Sequence, residues 1–169
     1  MKTYSILFTV LFCFIFPASV VSQEKDLKAN TNQETSAISA VASLLNSKTF
    51  EFIANTTYPT SGIPKNLVGS NYSMTFSPKM IISNLPYYGR GYSTIAISRD
   101  KGMRFEGTPE NFIIKKDREY QVRASVNSEN DTYEISLSVS DSGYASLSIS
   151  SNNRGTISYQ GEVVPIQKK

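Results

Sequence analysis

The sequence predicts an all-β, mainly antiparallel domain, either an up-and-down β-barrel or a strongly curved sheet or sandwich, with one N-terminal amphipathic helix. From residue 50 almost to the C-terminus, apolar and polar side chains alternate with a period near two, which is typical of half-buried strands. Clusters of turn-forming residues interrupt this alternation at short intervals. One stretch before residue 50 has instead the 3.6-residue period of a helix.

The first 22 residues are predicted to be a cleavable secretory signal peptide. A single basic residue, Lys2, precedes an apolar run at 6–16 that is shorter than the roughly 20 residues of a membrane span. Val20 and Ser22 fit the small-residue pattern of a signal-peptidase site, so cleavage is expected between Ser22 and Gln23. After this cleavage no integral membrane span is expected.

Histidine is absent from the chain, and the only cysteine, Cys13, lies inside the predicted signal peptide. Imidazole and thiolate are the commonest zinc ligands and are frequent catalytic groups. We therefore expect a non-enzymatic protein without a metal, cofactor or catalytic residue. The formal net charge of +3 is spread over 169 residues without a basic stripe, which argues against nucleic acid as a partner.

Behind the signal peptide, residues 23–31 are polar and aperiodic, and we expect a flexible lead there, followed by a single β domain at 32–169. Residues 31–34 match a capping box, in which a threonine and a glutamate satisfy each other's backbone amides. The apolar residues that follow at helical spacing are Ile38, Val41, Ala42 and Leu45. A helix is therefore expected over about 33–46, with Asn46 in the left-handed cap conformation.

Ten strands are predicted after the helix. They are expected at about 48–57, 71–76, 79–84, 92–98, 103–107, 111–116, 119–127, 132–140, 144–150 and 156–163. In the pair 132–140 and 144–150, aliphatic side chains alternate with serines, so one face should pack on the core. The serine face is either solvated or a binding surface.

Two pairs of carboxylates are the remaining candidates for acid–base chemistry, Glu106 with Glu110 and Asp131 with Glu134. Paired carboxylates of this kind hydrolyse glycosidic bonds when they are held roughly 5–10 Å apart. These four lie at predicted strand ends beside turn-forming residues, which favours solvated hairpin ends over a catalytic pair.

The segment at 85–92 is the main candidate for recognition, because it concentrates Tyr87, Tyr88, Arg90 and Tyr92. Tyrosine combines an apolar ring with a polar tip, and arginine carries a planar fork, so both are frequent in binding surfaces. A second polar and aromatic group is expected from Tyr144, Asn152, Asn153, Arg154 and Tyr159. If the two groups converge they would form the mouth of a pocket; alternatively, the rings cover the open end of the core around a tight turn.

Several stretches of the chain resemble a bacterial family, the domain of unknown function 4251. The stretches that carry the resemblance are Leu85-Pro86-Tyr87-Tyr88-Gly89-Arg90, Met103-Arg104-Phe105-Glu106-Gly107 and Ser151-Asn152-Asn153-Arg154. The resemblance implies an exported protein of a Gram-negative bacterium, located in the periplasm or at the cell envelope, or secreted. It implies no established activity.

These observations lead us to expect an exported, non-enzymatic domain that binds a small apolar or amphipathic ligand in a β-barrel-like fold. The alternative is an interaction or structural module of the cell envelope that contacts another protein through the 85–92 segment.

Overall fold

The computed structural model describes residues 40–89, 91–92, 102–128 and 131–166. Helical residues 40–46 come first. The ten strands that follow are β1 Phe50–Tyr58, β2 Lys65–Asn66, β3 Ser73–Phe76, β4 Ile81–Pro86, β5 Gly102–Gly107, β6 Pro109–Lys116, β7 Tyr120–Ser128, β8 Asp131–Val139, β9 Tyr144–Ser151 and β10 Ile157–Val164. The predicted signal peptide, its cleavage site, the flexible lead and the first half of the predicted helix lie outside the described residues, as does nearly all of the predicted strand at 92–98.

The strands form one antiparallel sheet in the order β5-β4-β3-β1-β10-β9-β8-β7-β6, with β2 paired to β1 outside this path. Consecutive strands are neighbours in both halves of the path, and β1 joins the halves by pairing with β3 on one side and with β10 on the other. The sheet curls into a nearly closed barrel. This confirms the predicted all-β, antiparallel fold and, of its two forms, favours the barrel.

The two sides of the nearly closed barrel approach each other where β5 packs against β7 and β8. The rings of Phe105 on β5 and Tyr133 on β8 are stacked with their centroids 3.9 Å apart. At the end of β5, a Cβ atom on Gly107 would lie 2.7 Å from Cγ1 of Val126 and 3.0 Å from the carbonyl oxygen of Asn127. Only glycine permits this approach, so residue 107 fixes the spacing between the two sides of the barrel.

Large side chains fill the interior of the barrel as one cluster. Phe50 on β1 and Phe76 on β3 stack at 4.8 Å. The largest fully buried side chains are Tyr159, Phe50, Phe52, Phe76, Leu45, Met74, Ile81, Leu85, Met103, Leu137, Leu147 and Ile149. Apolar burial of this extent is the dominant stabilising contribution to the fold.

The helix covers the core near the start of β1. Leu45 is fully buried, and Val41 packs beside Gly143 in the turn between β8 and β9. The predicted cap at Asn46 is wrong, because the left-handed residue is Lys48, with φ of 54°. The Ser47 hydroxyl donates to the carbonyl oxygen of Leu44 and so satisfies a carbonyl group at the end of the helix. The left-handed residue therefore comes two residues later than predicted, at position 48 instead of 46.

A β-bulge interrupts the pairing of β1 with β10. Ala54 lies opposite Gly161 and Thr56 lies opposite Gln160, so Asn55 is an additional residue on β1 without a partner in this register. A bulge bends its strand and shifts the subsequent side chains by one position.

The bulge exchanges the two faces of β1. Before it, the even-numbered residues 50, 52 and 54 point into the core; after it, Thr57 is buried and Tyr58 is exposed. Gly161 makes the bulge possible, because a Cβ atom there would overlap the carbonyl oxygen of Ile53. Without the additional residue, Tyr58 would point inward.

Candidate functional site

Arg154, in the turn between β9 and β10, is the centre of the candidate site at the end of the barrel opposite the helix. Only 8% of its surface is exposed. Its guanidinium group donates a hydrogen bond to the carbonyl oxygen of Gly102 at the start of β5 and lies 5.4 Å from the centroid of the Tyr87 ring. Arg154 therefore connects the β9–β10 turn to both ends of the loop between β4 and β5.

Two tyrosine hydroxyls reinforce this connection. Tyr87 donates to the carbonyl oxygen of Gly155 at 3.1 Å, and Tyr159 donates to that of Pro86 at 2.6 Å. Burial raises the pKa of the Tyr159 hydroxyl far above its usual value, so this group stays protonated and remains a donor. Burial also raises the pKa of Tyr87, while its hydrogen bond to Gly155 opposes the shift.

Tyr87, Arg154 and Tyr159, which we call the Arg154 cluster, thus bring together the two predicted groups. Arg154 and Tyr159 are buried and the partly buried Tyr87 packs against the core, so the cluster covers the core at this end of the barrel. Of the two interpretations offered by the sequence, packing over the open end of the core describes these three residues.

Two other tyrosines of the predicted segment have a different environment. Tyr88 and Tyr92 are exposed, to 39% and 71% respectively. The ammonium group of Lys65, on β2, lies 4.5 Å from the centroid of the Tyr88 ring. The backbone amide of Tyr92 donates to the carbonyl oxygen of Asn153 at 2.8 Å.

An open groove of about 440 Å³ lies beside Tyr88. We call it the Lys65 groove, and it is lined by Pro59, Ser61, Gly62, Ile63, Lys65 and Tyr88. The loop between β1 and β2 contributes most of this lining, and Ile63 within that loop is 80% exposed. The groove therefore combines apolar surface with one cation.

Two further predicted residues, Asn152 and Tyr144, lie outside both groups. Asn152 is exposed, and its backbone amide donates to the Asp131 carboxylate. Arg90 lies outside the described residues. Tyr144 was expected beside Asn152, but it begins β9 whereas Asn152 follows that strand, and eight residues of extended chain separate them by about 26 Å. Grouping Tyr144 with the β9–β10 turn was therefore wrong.

Tyr144 instead meets a tyrosine that the sequence analysis did not single out. On the outer face of β1, β10 and β9, the hydroxyls of Tyr58 and Tyr144 donate to the same side-chain oxygen of Gln160, at 2.8 and 3.0 Å. We call these two residues the outer tyrosine pair. The bulge that turns Tyr58 outward leaves only a weak mark in the sequence, the polar run after Ala54.

Two of the four candidate carboxylates, Glu110 and Asp131, have structural partners. Glu110 accepts a hydrogen bond from the side-chain amide of Asn127 at 3.0 Å. Asp131 accepts from the backbone amides of Thr132 and Asn152, both at 2.9 Å, and so connects two turns. Within the described ranges, no three His, Cys, Asp or Glu side chains come together as metal ligands would.

Comparison with known proteins supports the fold and identifies the family. A crystal structure of a DUF4251 family protein from Bacteroides eggerthii DSM 20697 superposes with a TM-score of 0.59 at 15% identity, covering 76% of this chain and 87% of that chain. No curated protein matches significantly. In the part of the chain that the structure describes, no helix is long and apolar enough to cross a membrane. The domain of unknown function DUF4251 matches residues 32–163, and the chain therefore belongs to that family.

Proposed function

We propose that this protein is an exported, non-enzymatic domain that binds a small amphipathic ligand in the Lys65 groove. The observation that carries the proposal is the groove itself, which lies beside the segment that the sequence marks for recognition. Its volume of about 440 Å³ falls within the roughly 300–1,000 Å³ of small-molecule sites.

The interior of the barrel is a poorer candidate for the ligand. Phenylalanine, tyrosine, leucine and methionine side chains already occupy it as one buried cluster, and the Arg154 cluster covers one end. A ligand there would have to displace close-packed side chains, which costs free energy. The external groove needs no such displacement.

The lining of the groove indicates the chemistry of the ligand. Pro59, Ile63 and Tyr88 supply apolar surface, and the ammonium group of Lys65 lies over the Tyr88 ring. An apolar chain can cover the exposed Ile63 side chain while an anionic head group pairs with Lys65. A single-chain amphiphile with a carboxylate head group satisfies both requirements.

Nuclear magnetic resonance of the ¹⁵N-labelled protein, titrated with dodecanoate below its critical micelle concentration, tests this proposal. We expect saturable shifts of the amides in the β1–β2 loop and around Tyr88. Lys65→Gln and Tyr88→Ala should each weaken binding about tenfold, which corresponds to about 1.4 kcal/mol. Tyr92→Ala is the matched control, because Tyr92 is more exposed than Tyr88 and does not line the groove.

Two outcomes would contradict the groove as the site. Equal binding of dodecanoate and of dodecyltrimethylammonium would show that Lys65 does not select an anion. Undiminished binding in the Lys65→Gln/Tyr88→Ala double variant would place the ligand elsewhere.

Export is the second part of the proposal, supported by the signal-peptide pattern of residues 1–22. N-terminal sequencing of the protein recovered from the periplasm should begin at Gln23. A protein recovered in the cytoplasmic fraction with Met1 intact would contradict export without affecting the groove.

A further inference from the structure

The outer tyrosine pair displays two aromatic rings on the surface in a fixed arrangement. Tyr58 and Tyr144 are 39% and 51% exposed, and both hydroxyls donate to the Oε1 atom of Gln160. The two hydrogen bonds restrict the side-chain rotamers of tyrosines that would otherwise be mobile at a surface. A ligand that stacks on them therefore loses less conformational freedom than it would on unrestrained rings.

The β-bulge is needed for this arrangement. Asn55 is the additional residue that turns Tyr58 to the outer face, and Gly161 leaves room for the bulged chain. Bulges that redirect a side chain are over-represented beside functional sites. The same bulge places Thr56 directly opposite Gln160, so it positions two side chains of the outer face together.

Neutral polar side chains surround Gln160. Thr56 lies opposite it on β1 and Ser146 lies opposite it on β9. Ser146 is paired in turn with Ser138, whose hydroxyl donates to the side chain of Gln121 on β7 at 3.0 Å. The row crosses five adjacent strands and spans about 19 Å.

The amide nitrogen of the Gln160 side chain is available to donate hydrogen bonds to a ligand. The oxygen of this side chain accepts both tyrosine hydroxyls, whereas the nitrogen has no hydrogen-bond partner among the described residues. Hydrogen-bond donors and acceptors therefore lie between the two aromatic rings. They are the two amide protons of Gln160, the tyrosine oxygens and the hydroxyls of Thr56 and Ser146.

The charges around the pair restrict the ligand further. Glu162 lies opposite Tyr144, on the same outer face two residues beyond Gln160, and it disfavours an anionic ligand. None of the five side chains at the centre, those of Thr56, Tyr58, Tyr144, Ser146 and Gln160, carries a charge. A neutral ligand with hydroxyl groups and flat apolar faces matches this surface.

We propose that the outer tyrosine pair, together with Gln160, binds a neutral oligosaccharide. The two rings stack on sugar faces, and Gln160 with the neighbouring hydroxyls hydrogen-bonds to the sugar hydroxyls. None of these residues lines the Lys65 groove, and the proposal does not depend on the function proposed there.

An array of neutral and acidic oligosaccharides, probed with the purified protein and followed by calorimetric titration of the bound sugars, tests the proposal. We expect binding to neutral sugars only. Tyr144→Ala and Gln160→Ala should each lower the affinity about tenfold, and Tyr58→Ala/Tyr144→Ala should abolish it. Tyr92→Ala is the matched control and should bind as the unmodified protein does.

Thermal unfolding of each variant separates a lost site from a lost fold, and exposed tyrosines should change the melting temperature little. The proposal is overturned if no neutral oligosaccharide binds, if acidic sugars bind equally well, or if the folded Tyr58→Ala/Tyr144→Ala variant still binds.

Discussion

The Arg154 cluster and the outer tyrosine pair use the same residue type for opposite purposes. In the cluster, Tyr87 and Tyr159 direct their hydroxyls to backbone carbonyls and turn their rings to the core. In the pair, Tyr58 and Tyr144 direct their hydroxyls to one glutamine and leave their rings exposed. The partner of the hydroxyl group determines which part of a tyrosine remains available to a ligand.

The segment richest in tyrosine in the sequence therefore contributes one of its three rings to the packing of the core. Tyr87 is partly buried against the core, while its neighbour Tyr88 lies in the Lys65 groove. By contrast, the tyrosines of the outer pair are 86 residues apart along the chain and meet only because β1 and β9 both flank β10.

The largest expected effect in this comparison comes from the bulge that exposes the outer pair. Gly161→Ala places a methyl group where the carbonyl oxygen of Ile53 lies, and we expect the free energy of unfolding to fall by about 3 kcal/mol. Denaturant unfolding measures it. Ser146→Ala, on the outer face of the neighbouring strand, is the control and should change stability by less than about 0.5 kcal/mol. A loss of unfolding free energy below about 1 kcal/mol for Gly161→Ala would show that β1 shifts away from the added methyl group at little cost.

Arg154→Ala should have the next largest effect. It removes the hydrogen bond to the buried carbonyl of Gly102 and the contact with the Tyr87 ring, so a loss of about 2 kcal/mol is expected. Arg123→Ala is the control, since Arg123 is exposed on β7. Chemical denaturation measures the free energy of unfolding of both variants. Equal losses for Arg154→Ala and Arg123→Ala would show that the buried contacts of Arg154 contribute no more to stability than an exposed arginine does.

The fold was largely predictable because its signal is local. Alternation within a strand and turn residues between strands located β9, for example, at 144–150 against the observed Tyr144–Ser151. The two-residue strand β2 was missed because so short an element has no periodicity.

The candidate site was less predictable because contacts across the barrel depend on the register of the strands. The bulge at Asn55 reverses the inward pattern, and alternation alone would have buried Tyr58.

Tyr159→Phe addresses the hydroxyl of the Arg154 cluster alone. It leaves the buried carbonyl of Pro86 without its donor, and we expect a loss of about 1 kcal/mol at neutral pH. Chemical denaturation of the variant and of the unmodified protein in parallel measures it. An unchanged stability would mean that the Tyr159 ring alone closes this end.

Alkaline pH should narrow the difference in stability between the unmodified protein and Tyr159→Phe. The raised pKa means that, above about pH 10, the unfolded chain releases the Tyr159 proton while the folded chain retains it. The stability of the unmodified protein then falls by up to about 1.4 kcal/mol per pH unit more steeply than that of Tyr159→Phe. Unfolding curves at intervals between pH 8 and pH 11 measure both slopes, and parallel slopes would show that the hydroxyl is not protected by burial.

The smallest expected effect belongs to the outer tyrosine pair. Tyr58→Phe and Tyr144→Phe each remove one exposed hydrogen bond to Gln160, so each should lower the free energy of unfolding by less than about 0.5 kcal/mol. Both hydroxyls share one acceptor oxygen. A double-mutant cycle that compares the single and double variants should therefore show little coupling in the free energy of unfolding, whereas the mobility of one tyrosine side chain should depend on the other hydroxyl. Scalar couplings between the Cα and Cβ protons of the remaining tyrosine report its χ1 rotamer populations. Greater rotamer averaging of Tyr58 after Tyr144→Phe would show that Gln160 holds the two side chains as one unit, whereas unchanged averaging would show that each side chain is fixed by its own strand.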